Sequence, residues 1–181
     1  MPAAPSSAAP DGADQPLQPR ADADGADDAL PVPEGFKRIQ RGPSWFSQLG
    51  PVYAKPAPDG TTILGLRVSQ RHANFRGNAH GGMLMTLADA TLGINVSQAR
   101  GIRGGQVTVS LAADFLVGVK LGDWLEARVG MRKNGRTLVF ADCILTVGER
   151  EVLRSNAVFA VVEPPAHACT ASSAIESTPG D

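Results

Sequence analysis

The chain has 181 residues, with 17 basic and 18 acidic side chains and a formal net charge of −1. Dispersed cations and a near-neutral balance exclude the basic footprint of a nucleic-acid binder, and no apolar run is long enough to span a bilayer. Two cysteines without metal spacing and three histidines outside any ligand-like cluster point to free thiols in a reducing compartment, so a cytoplasmic protein without metal or other cofactor is expected.

Residues 1–34 are rich in Ala, Pro, Asp and Gly and nearly devoid of large apolar side chains. Such a stretch cannot bury enough surface to offset the entropy of ordering it, and it reads as a disordered extension. It lacks the basic start and apolar run of a secretory signal, and its aspartates are unlike a transit peptide. Residues 164–181, rich in Pro, Ala, Ser and Thr, read as a disordered tail. Between them, 35–163 is the size of one domain.

Within that domain, Gly42 to Gly50 predicts a short helix, with Ser44 as N-cap, Trp45, Phe46 and Leu49 as its apolar face, and Gly50 as its stop. A first strand is expected at Thr61 to Val68. A long central helix follows from Gly81 to about Gln98, ending before Gly101. The period then switches to two. In Gln106 to Phe115, Val107, Val109, Leu111, Ala113 and Phe115 share one face and Thr108, Ser110 and Asp114 the other. Trp124 to Met131 alternates likewise, and Arg136 to Val147 and Val152 to Val162 complete the strands. Asn134-Gly135 and Gly148 to Glu151 mark the turns between them. One helix on an antiparallel sheet is an α+β two-layer arrangement. A single helix leaves a sheet face to hide, so a homo-oligomer is expected.

The chemistry concentrates where loop enters helix. From Met83 to Val96 the run is apolar nearly all round except for Asp89, and a carboxylate in such a helix is costly unless it is hydrogen-bonded or paired. At the helix entry Gly81 and Gly82 lack Cβ atoms, so a ligand could approach their N–H groups closely. Donors at one end and a lone acid two turns on read as parts of an active site. The plainer readings are a structural acid, close-packing glycines, and an Asn74 that caps a turn. His80 reads either as a base or, preferably, as a ring that hydrogen-bonds backbone and fixes the loop; His72 reads as structural.

The pattern His72-x-Asn74-x-x-Gly77-x-x-His80-Gly81-Gly82, followed by Leu87-Ala88-Asp89, resembles that of the hotdog-fold acyl-CoA thioesterases of the PaaI-like (phenylacetate-pathway) group, relatives of 4-hydroxybenzoyl-CoA thioesterase. The segment Phe115-Leu116-x-x-x-Lys120-Leu121-Gly122-Asp123 is similar to the family's strand and following turn. The resemblance spans about Gly60 to Val162. It implies a hotdog fold, a helix wrapped by an antiparallel sheet, assembled as a homodimer or homotetramer, and hydrolysis of an aryl- or medium-chain acyl-CoA. It assigns Gly81 to the oxyanion together with Gly82, and Asp89 of the facing subunit to water activation or direct attack. Asn74 would fix the substrate or loop, and Thr108 would hold the water or acid. His80 and Arg136 fall to substrate binding, with Arg103, Lys120 and Arg132 as further candidates for the coenzyme A phosphates. Relatives often carry Arg-Pro where this chain has Val117-Gly118, which puts those phosphate contacts in question. Two other functions compete: a non-catalytic acyl-CoA sensor of the same fold, and an enoyl-thioester hydratase.

Overall fold

A computed structural model describes residues 30–40, 45–101 and 105–163. Seven antiparallel strands form one sheet: β1 (Lys37–Ile39), β2 (Val52–Pro56), β3 (Thr62–Arg67), β4 (Gln106–Phe115), β5 (Trp124–Asn134), β6 (Leu138–Val147) and β7 (Arg150–Val161). Their spatial order is β1-β2-β3-β5-β6-β7-β4. One long helix, α1 (Gly81–Arg100), crosses a single face of that sheet. The α+β hotdog architecture is therefore the observed one.

Period-two patterning builds the buried layer. Leu125, Ala127 and Val129 of β5, Val139, Ala141, Cys143 and Leu145 of β6, and Leu153, Ala157 and Phe159 of β7 are buried against Leu84, Leu87, Ala88 and Leu92 of α1. Asn95, 2% exposed, pins the helix to β3. Its Oδ1 accepts from Thr62 N–H (2.7 Å), and its Nδ2 donates to the carbonyls of Thr62 and Thr91 (both 2.9 Å). The side chain thus satisfies both backbone groups of a strand residue. The helix ends at Gly101, whose φ of 65° is the left-handed conformation that glycine adopts without a Cβ penalty.

The structure adds to or departs from the sequence reading at four points. The short helix is a 3-10 turn at Trp45–Leu49; at three residues per turn, Phe46 and Leu49 fall on one side against the core and Trp45 stands 75% exposed. Ser44, its expected cap, lies outside the described residues. Strands β1 and β2 were not foreseen: one is three residues long, and prolines at 51 and 56 disguise the other. Asn134-Gly135 does not form a left-handed two-residue turn, because Gly135 has no positive φ. It is required for close approach, since a Cβ there would lie 2.6 Å from the Leu138 carbonyl oxygen. Finally, β4 and β5 are not neighbours: β4 pairs only with β7, at the sheet edge, and residues 116–123 carry the chain back across to β5.

That return loop positions the site. Ala79 N–H donates to the Val119 carbonyl (2.8 Å), Asn78 and Lys120 form an isolated bridge, and Val68 exchanges backbone bonds with Gly122 and Asp123. The loop therefore clamps residues 78–80, where α1 begins.

Candidate active site

The entry to α1 is built by histidine backbone and side chains. Buried His72 accepts the Ser69 N–H at Nδ1 (2.9 Å), which leaves its Nε2–H to donate to the Leu49 carbonyl (2.8 Å). Its own carbonyl accepts from His80 N–H (2.7 Å). His72 is the structural residue that the sequence suggested. Asn74 also works on backbone: its Oδ1 accepts from the N–H groups of Arg76 (2.8 Å) and Asn78 (3.3 Å). This is the turn-capping geometry of Asn, and it fixes the loop at whose end the helix starts.

His80 is the N-cap of α1. Its Nδ1 accepts from Gly82 N–H at 2.9 Å, so an unprotonated Nδ1 holds the first turn in place. The Gly82 amide is thereby engaged by the cap. Met83 and Leu84 N–H both turn back to the His80 carbonyl. Among the described residues, Gly81 N–H has no acceptor. It is a free donor at the positive end of a helix of 20 residues.

Two turns further on, Asp89 is partly buried and accepts a hydrogen bond at Oδ1 from Thr108 Oγ1 (3.0 Å). Strict alternation along β4 would have put Thr108 on the face away from Leu111 and from α1. A β-bulge changes this: Thr108 pairs with Phe159 and Ser110 with Val158, leaving Val109 as the extra residue. Phe159 is buried on the helix side, so its cross-strand partner Thr108 faces α1, as Leu111, Ala113 and Phe115 do beyond the bulge. No residue signals the bulge in advance, because Val109 simply continues the alternation.

Phe115, at the end of β4, completes the helix entry. A Cβ on Gly81 would lie 3.1 and 3.3 Å from two carbons of its ring, so the ring rests on that glycine while half its surface stays open (52%).

The structure does not gather the expected cations together. Arg136 lies in the β5–β6 connection, whose Gly135 carbonyl and Asn134 side chain bond Arg100 at the last residue of α1. A helix of that length puts about 30 Å between it and Gly81 of the same chain. Arg132 is paired with Asp142, and Arg103 lies outside the described residues. Of the described cations among these, Lys120 stands near the Gly81 end, where it bridges Asn78. Among the described residues, no group of three or more His, Cys, Asp or Glu side chains could hold a metal ion, and no helix is long and apolar enough to cross a membrane.

A free amide at a helix N-terminus and a hydroxyl-bonded carboxylate are the equipment of acyl transfer to water. Comparison with known proteins agrees. Residues 76–153 match the thioesterase superfamily. A Pseudomonas aeruginosa protein, PA0474, whose name assigns it provisionally to the esterases, is 38% identical over 128 residues, 71% of this chain and 96% of that protein. Human acyl-coenzyme A thioesterase 13 is 29% identical over 115 residues, 62% of this chain and 80% of that protein. The crystal structure of a hypothetical thioesterase of Streptococcus pneumoniae with coenzyme A superposes with a TM-score of 0.55 at 27% identity, covering 70% of this chain and 94% of that one. The chain belongs to the thioesterase superfamily, as a hotdog-fold enzyme with the PaaI-like motif.

Proposed function

We infer that this thioesterase hydrolyses an aryl- or medium-chain acyl-CoA to the free acid and coenzyme A. The thioester carbonyl accepts the Gly81 N–H, which stabilises the oxyanion as the carbonyl carbon becomes tetrahedral. Asp89 either takes a proton from the attacking water or attacks the carbon itself. In both routes the C–S bond breaks, the thiolate leaves and is protonated, and an oxygen of water ends in the acid. Lys120, beside the helix entry, is the cation placed to meet a coenzyme A phosphate. The coenzyme A held by the pneumococcal neighbour supports this substrate class.

One observation carries the reading. Gly81 and Asp89 are eight residues apart on one α-helix, about 12 Å along its axis. A single carbonyl cannot touch both. A second copy related by a two-fold axis beside the β4 edge runs the two helices antiparallel and brings Asp89 of one chain to Gly81 of the other. The unpaired side of β4 suits that contact: Val107 and Val109 are 50% and 62% exposed, and a Cβ on Gly93 of the helix beside it would meet nothing within 4 Å. We therefore assign the enzyme a homodimer as its smallest active unit.

The test is release of free thiol from a panel of acyl-CoAs. Asp89→Asn is expected to lower kcat by roughly 10²–10⁴ while leaving binding of a substrate analogue intact. Proline is tolerated at the first position of a helix and deletes the N–H, whereas alanine adds a Cβ and keeps it. Gly81→Pro is thus expected to fall roughly 10²–10³ below Gly81→Ala. A wild type that binds the acyl-CoAs and releases no thiol from any of them would make the sensor the correct reading.

A further inference from the structure

We propose that Phe115 is a specificity-determining residue of this enzyme, limiting substitution at the acyl carbon next to the thioester carbonyl. The inference rests on the site proposed above, with the carbonyl on Gly81 N–H.

The glycine at position 81 invites the explanation that a ligand needs the space of its missing side chain. The structure fills that space from within. Cε1 and Cζ of Phe115 lie 3.1 and 3.3 Å from where a Cβ would be, and Cδ1 lies at 3.7 Å. These distances are tighter than or equal to ordinary contact, so Gly81 is the residue type that lets the ring settle on the helix entry. The bulge at Val109 sets the phase that turns Phe115 to this side, where it pairs with buried Leu153.

The amide nitrogen of Gly81 is about 1.5 Å from its Cα, and an acceptor oxygen lies about 2.9 Å from that nitrogen. The ring lies 3.1 Å from the Cβ position of that same residue, so donor and ring are neighbours, and we place the acyl side of the carbonyl, its carbon and the two atoms attached to it, along the half-open ring. One attached atom is the sulfur, the same in every acyl-CoA. The other is the acyl α-carbon, where substrates differ. A flat rigid wall at that distance accepts a CH₂ and crowds a branched carbon.

The experiment compares two matched pairs: hexanoyl-CoA with 2-methylhexanoyl-CoA, and phenylacetyl-CoA with 2-phenylpropanoyl-CoA. The readout is the kcat/KM ratio of the α-methyl compound to its parent. Phe115→Ala is expected to raise this ratio about tenfold or more, Phe115→Leu to raise it less, and Phe115→Trp to lower it. Melting curves accompany each variant; should Phe115→Ala unfold early, Phe115→Leu and Phe115→Trp still bracket the effect in opposite directions. Gly81→Ala should lose activity on the parent esters and recover part of it when combined with Phe115→Leu, because the smaller side chain yields to the new Cβ. An unchanged ratio in active variants overturns the proposal and leaves the thioesterase reading standing, and so does a double variant with no recovery. A wild type inert towards all four esters brings down the thioesterase reading and this one with it.

Discussion

Asp89 owes its orientation to a single hydroxyl. Thr108 donates to Oδ1 at 3.0 Å, and a hydrogen bond to a carboxylate contributes about 1.5–3 kcal/mol when it orients the charged form. Thr108→Val keeps the shape and removes the donor, so kcat should fall roughly tenfold or more with KM little changed, and Thr108→Ser should restore most of it. Equal kcat in the valine variant and the wild type would reduce Thr108 to a packing residue. Cys143 carries a different message. It is fully buried, and burial pushes its thiol from an ordinary 9.0 up to about 12. The folded state therefore keeps its proton at pH values where the unfolded chain gives it up. The stability this confers is complete below about pH 9 and is lost as pH rises from there toward 12, at up to about 1.4 kcal/mol per pH unit. Cys143→Ala should flatten that alkaline limb in denaturant titrations at pH 8, 9.5 and 10.5; parallel limbs in the two proteins would dismiss the linkage.

At the scale of elements, what the sequence made legible was what periodicity and capping encode. The helix from Gly81 and its stop at Gly101 were readable from glycines and an unbroken apolar run, and the last three strands from alternation. Non-local features were not readable. A three-residue strand carries no period, and the partner of an edge strand is decided by how a loop crosses the sheet. A bulge that hides inside a regular alternation reverses the meaning of every residue on one side of it, which is why Thr108 came to the site through family resemblance alone. Phe115 was overlooked because an aromatic closing an apolar strand face reads as core. Asn95 went unremarked in the helix run, yet it joins two elements through two hydrogen bonds. Asn95→Leu strands the amide and carbonyl of Thr62 in a partly buried place, where each unmet group costs about 1–3 kcal/mol. A loss of about 2–4 kcal/mol in chemical denaturation is expected, with the helix-to-β3 docking the first part to open in hydrogen exchange. A variant as stable as wild type would mean that water replaces the side chain there.

The whole molecule poses the question of how many chains make one site. Within a protomer, each half of the catalytic equipment stands on the same helix and out of reach of the other. The proposed two-fold dimer resolves this without any new residue, since a patch that pairs with its own copy presents Gly81 and Asp89 in opposite order. Mixed assemblies decide the matter. In the proposed homodimer, Asp89→Asn and Gly81→Pro each disable both sites. A heterodimer of the two holds one doubly damaged site and one intact site, made from Gly81 of the Asp89→Asn chain and Asp89 of the Gly81→Pro chain. Random reassembly makes half the dimers mixed, so two nearly inactive proteins, once dissociated and recombined, should regain about one quarter of wild-type turnover. Sites confined to one chain would regain none. Lysine at Val109 on the β4 edge should separate the protomers in sedimentation velocity and abolish turnover with Asp89 and Gly81 both present. A monomeric Val109→Lys that still releases thiol would place the whole reaction within one chain.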